Sequence, residues 1–155
     1  MMQPHEFWRR VGEQTGPGVL VLVLLESWKR VADEIGMEAI DMASAVFDAL
    51  CELASAGANA QARLTTTVFG AYWSALGADE TAAERLARWL PLTIISPGKS
   101  IPIECRWIAV ARDAAQTGKD LYVAGQADLE RLVAGLPPSE RYPAMPRTWE
   151  ELMGQ

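Results

Sequence analysis

From Leu24 onward the apolar positions fall at Leu24, Trp28, Val31, Ile35, Ala39, Met42, Val46, Leu50 and Leu53. Their mean step of about 3.6 residues is the period of an α-helix and not the two-residue period of a strand. The pattern predicts one long amphipathic helix over about residues 19–56, and such a helix needs apolar neighbours to cover its stripe. Gly36 interrupts the pattern at a cost of about 1 kcal/mol relative to alanine, too little to break so regular a face.

Breaks in the pattern place the remaining elements. Ala56-Gly-Ala-Asn59 ends the long helix, and Asn59 is suited to cap a second one (59–76) with Leu64, Val68, Tyr72 and Leu76 on one side. Thr81-Ala-Ala-Glu84 has the form of a capping box for a short third helix through Leu86, Trp89 and Leu90, stopped at Pro91. Between 101 and 117 two periods compete. Ile101, Ile103, Cys105 and Trp107 alternate as in a strand, while Ile103, Trp107, Val110, Ala114, Thr117 and Leu121 step as in a helix. Ser100 as cap, Pro102 in a first turn and Gly118 as terminator favour the helix. A further helix is expected from about Asp120 to Ala134, closed by Gly135 and Pro137. The resulting fold class is all-α, an irregular bundle of about five helices. The alternative is α+β, with a small hairpin near Pro97-Gly98. Domain organisation follows as one helical domain (1–136) and an extended proline-rich tail (137–155), in which Thr148-Trp-Glu-Glu151 caps a terminal helical turn.

A chain of 155 residues that is half hydrophobic and 22% charged can bury a core of its own without staples. Its net charge of −6 is concentrated in residues 26–57, which carry seven acids against Lys29 and Arg30. No basic stripe follows a phosphate backbone, so direct nucleic-acid binding is not expected. Two widely separated cysteines, Cys51 and Cys105, in apolar surroundings fit buried thiols of a reducing compartment, which points to the cytoplasm. The run Val19–Leu25 is far short of the ~20 apolar residues a transmembrane helix needs and reads as core.

Candidate chemistry fails on inspection. Gly98-Lys-Ser100 has the end of a phosphate-binding loop, but Thr93 stands where the loop's first glycine is required. Ser96 and Lys99 have an acyl-enzyme spacing, yet Pro97-Gly98 between them prevents the shared helical turn that chemistry needs. His5 is the only histidine and neither cysteine lies in a C-x-x-C, so no catalytic, cofactor-binding or metal-binding residues are assigned.

What remains is surface. Glu34, Glu38 and Asp41 lie on the acidic face of the long helix. Trp8 and Trp149 occupy short terminal segments where a tryptophan can serve as an interface anchor, and Tyr142 lies in the proline-rich tail. These six residues are the candidate partner-binding set. The function expected is a non-enzymatic protein–protein interaction module, an adaptor, assembly factor or inhibitor, with no cofactor. Its partner is a protein, which includes another copy of the same chain in a homo-oligomer. Two alternatives stand beside it. One is a phasin-like amphipathic coat protein, similar to that family only in its long alanine-rich helices and suited to a peripheral apolar surface of a granule or lipid. The other is a small enzyme using helix carboxylates such as Glu34 and Glu38.

Overall fold

The computed structural model describes residues 2–26, 32–34, 36–74, 92–96, 99–136 and 147–154. Its elements in chain order are α1 (Pro4–Glu13), β1 (Gly18–Leu25), α2 (Met37–Ala54), β2 (Ala60–Arg63), β3 (Val68–Ser74), β4 (Leu92–Ser96), β5 (Lys99–Ile103), β6 (Cys105–Arg112), α3 (Gly118–Ala134) and α4 (Trp149–Met153). The class is α+β, and the all-α expectation is corrected. A four-stranded antiparallel sheet in the order β2-β3-β1-β6 forms the centre, and β4 and β5 form a separate two-stranded sheet.

The run Val19–Leu25 is core, as a strand. β1 lies between β3 and β6, in register Leu22↔Gly70 on one side and Leu22↔Ile108 on the other. Every residue of β1 is buried, because both faces of the sheet are covered. A strand covered on both sides has no polar side to show, so it loses the alternation by which a strand is recognised. The helix expected over 19–56 therefore divides into β1 and α2. The helix expected over 59–76 is the β2–β3 hairpin, and the one expected from 101 is β5 and β6. The strand alternation of Ile101, Ile103, Cys105 and Trp107 is the period this segment obeys. The helix expected over 120–134 is present as α3, capped by Thr117, whose hydroxyl accepts from the Asp120 amide while the Asp120 carboxylate accepts from the Thr117 amide. The short helix expected through Leu86, Trp89 and Leu90 lies outside the described residues.

Strand alternation assigns the two faces. Leu20, Leu22 and Leu24 join Ala60, Ala62, Leu64 and Tyr72 in a core closed by Phe7, Trp8 and Val11 of α1 and by Leu121, Tyr122 and Leu129 of α3. α3 approaches β1 closely at Gly125, where a Cβ would stand 3.0 Å from Leu22 and 3.2 Å from Leu20. On the other face lie Val19, Val21, Val23 and Leu25, beside Gln61 and Arg63 of β2. Gln61 bonds Ser55 just beyond α2, and Arg63 bonds Asp48 within it, so α2 lies on this second face. Among its described side chains, Phe47 and Cys51 are buried there. Arg112 ties the first face together. The residue is 6% exposed, and its guanidinium donates to the Val11 carbonyl at the end of α1 (2.9 Å), to the Tyr72 hydroxyl (3.2 Å) and to the Gln116 carbonyl (3.1 Å). Among the described residues no helix is long and apolar enough to cross a membrane.

Candidate functional site

Antiparallel pairing brings three chain segments to one end of the sheet. Where β1 ends, at Leu25–Glu26, β3 begins at Val68 and β6 begins at Cys105. Two backbone bonds close this end: the Leu25 amide donates to the Thr67 carbonyl (2.8 Å) and the Glu26 amide donates to the Glu104 carbonyl (2.8 Å). Glu26 follows an unbroken apolar strand and is nearly fully buried, and its carboxylate is ion-paired with the Arg106 guanidinium, itself about half exposed. A buried carboxylate is tolerated only with such a partner.

The β2–β3 turn supplies the second part of this rim. Thr65, Thr66 and Thr67 make the turn; the Thr67 amide donates to the Thr65 hydroxyl (3.2 Å), and Thr66 is exposed. Arg63, just before it, fixes the hairpin to α2. Its Nε donates to Asp48 Oδ1 (2.7 Å), its Nη2 donates to the Ser44 hydroxyl (2.9 Å), and its guanidinium lies 5.0 Å from the centre of the Phe47 ring. Register places Arg106 on the face of Leu24 and Arg63 on the α2 face, each paired with a carboxylate, so the polar groups this end of the sheet presents to solvent are the exposed Thr66 and the half-exposed Arg106. Among the described residues no group of three or more His, Cys, Asp or Glu is placed to hold a metal ion. At the opposite end of β2 an open groove of about 360 Å³ is lined by Met2, Arg10, Glu52 and residues 58–61.

The residues singled out from sequence are not brought together. Trp8 is a core residue, 1% exposed, packed edge-on against Tyr122 with ring centres 4.8 Å apart. Trp149 is half-buried on its own domain, 5.9 Å from the Tyr122 ring. Glu34 and Asp41 are exposed. Glu38 is on α2, and Tyr142 lies outside the described residues. Ser96 and Lys99 face each other as the closing pair of the β4–β5 hairpin. Glu26, Arg63, Thr65, Thr66 and Arg106 were missed. The available signal was an acid ending an apolar run: Glu26 closes VLVLVLL, a position that reads as a strand terminus only once the run is read as a strand.

No family model and no curated protein sequence matches the chain. Solved structures do. The GGDEF domain of DgcB from Caulobacter crescentus, determined in complex with c-di-GMP, superposes with a TM-score of 0.70 at 13% identity, over 87% of this chain and 86% of that one. A sensory box/GGDEF family protein from the same organism gives 0.68 at 19% identity, over 84% and 92%. The GGDEF domain of FimX from Pseudomonas aeruginosa gives 0.62 at 18%, over 78% and 76%. The chain has the GGDEF-domain fold. With that fold, the non-enzymatic interaction module and the phasin-like coat are both withdrawn. Each rested on a long amphipathic helix that is instead a central strand and a shorter helix.

Proposed function

We propose that the chain is a nucleotide-handling, enzyme-like domain of the diguanylate-cyclase class, which takes a guanine nucleotide at the rim formed by Glu26, Arg106 and the Thr65–Thr67 turn. The observation that carries the reading is the likeness, over 87% of the chain, to a GGDEF domain solved with c-di-GMP. The rim supports it chemically. Exposed Thr66 and half-exposed Arg106 offer donors to phosphate or sugar oxygens.

The residues at the rim are this chain's own. The letters GGDEF spell Gly-Gly-Asp-Glu-Phe, and the sequence has no two adjacent glycines. Its three phenylalanines, Phe7, Phe47 and Phe69, follow His-Glu, Ala-Val and Thr-Val. The rim therefore offers a ligand the Thr66 hydroxyl and the Arg106 guanidinium in place of an Asp-Glu pair.

Calorimetric titration with GTP and with c-di-GMP, paired with chromatographic assay of GTP consumption, tests the reading. Saturable binding of a guanine nucleotide is expected. Thr66→Glu places a negative charge at an exposed position of the rim and is expected to weaken that binding about tenfold, at an unchanged thermal midpoint. Absence of binding by both nucleotides refutes the assignment.

A further inference from the structure

α4 is a five-residue helix held almost entirely by what it touches outside itself. Thr148 caps it, its hydroxyl accepting from the Glu151 amide (3.2 Å). Leu152 is buried in the main core, and Trp149 packs against that core beside Tyr122. The Trp149 ring enters a notch that two glycines leave open between α1 and α3. A Cβ on Gly118 would stand 3.0 Å from that ring and 2.6 Å from the Gly12 Cα, and a Cβ on Gly12 would stand 3.5 Å from the ring. Polar contacts fix the direction of the segment: Lys119 pairs with Glu150, and the Tyr122 hydroxyl donates to the Arg147 carbonyl. This is a preformed groove for a short helix bearing Trp and Leu three residues apart, and an isolated helix of that length has no stability of its own.

The tether between ligand and groove is long for so small an element. Ten residues, Pro137 to Pro146, four of them proline, join Leu136 to Arg147. Ten residues of chain can reach up to about 33 Å. Release of α4 uncovers half-buried Trp149 and Met153 and buried Leu152 and breaks the Lys119–Glu150 pair and the Tyr122–Arg147 hydrogen bond, a small part of the whole core, so its local opening is cheaper than global unfolding. The uncovered groove is the same in every copy of the chain. An α4 that has left its own groove therefore finds all of its contacts again on another molecule, the condition under which element exchange is a low-cost route to association.

We propose that the α1–α3 notch is a docking groove that takes α4 of a second copy of this chain in exchange for its own, Trp149 being the anchor. The polar contact between Lys119 and Glu150 reports on where α4 lies. Two full-length variants, Lys119→Cys and Glu150→Cys, are mixed at high protein concentration and oxidised with diamide, then resolved on a non-reducing gel. Exchange predicts a disulfide-linked heterodimer in excess of the dimers that either variant forms alone under the same conditions. Adding Trp149→Ala to the Glu150→Cys variant is expected to reduce that excess about tenfold, because the donated helix loses its anchor. Cross-linking in the mixture no greater than in the single variants overturns the proposal, as does an excess that Trp149→Ala leaves unchanged.

Discussion

Burial holds the Cys51 thiol far above the ordinary thiol range, with Cys105 adding to the effect, Arg63 opposing it and Asp48 adding to it again. Burial alone pushes Cys105 up to about 12. Both folded values lie above the unfolded one, so the fold favours the protonated thiols. Their contribution to stability is complete below the unfolded value of about 8.5 and is lost as pH rises from there toward the folded values. One buried thiol then costs about 1.4 kcal/mol per pH unit, or roughly 3 to 5 °C of thermal midpoint in a chain of this size. Scanning calorimetry from pH 8 to 10.5 is expected to show a falling midpoint, and Cys51→Ala is expected to flatten the fall. A variant with the wild-type slope contradicts this account. Neither thiol is suited to act as a nucleophile near neutrality, since the thiolate is the reactive form.

At the scale of elements, β1 and α2 show what a period can and cannot reveal. Leu22 in β1 is fully buried between β3 and β6, and Leu22→Ala is expected to cost about 2 to 5 kcal/mol. Val46 on α2 belongs to the same sequence stripe but is 56% exposed, and Val46→Ala is expected to stay within about 0.5 kcal/mol of wild type. Urea denaturation of the two variants checks both values; equal losses would restore the single helical stripe. α2 was legible as a helix, yet among its described side chains the buried ones are Phe47 and Cys51, one position along from Val46 and Leu50. The helix has apolar residues on more than one side, so the period fixed its conformation and not its inward face. α3 was legible because Thr117, Gly118 and Gly135 mark its ends by local chemistry. The sheet was not, because β1 is buried on both faces and β2–β3, with Ala60, Ala62, Gly70 and Ala71, carries few β-branched residues. The site depends on that sheet. Glu26, Thr66 and Arg106 are brought to one end of the sheet only by antiparallel pairing between segments some forty positions apart, which no local pattern records.

The whole molecule is a central antiparallel sheet with helices on both faces and a polar rim at the end where β1 stops and β3 and β6 begin. The measurement that tests both parts together is an amide correlation spectrum of the isotopically labelled chain, assigned and then titrated with GTP and c-di-GMP. Cross-strand contacts between β1 and both of its neighbours are predicted, for instance Leu22 with Gly70 and with Ile108. Nucleotide-induced shifts are predicted to cluster at Glu26, Thr65–Thr67 and Arg106. Sequential helical contacts across residues 19–25, or shifts confined to the groove at Ala58–Gln61, would contradict the account.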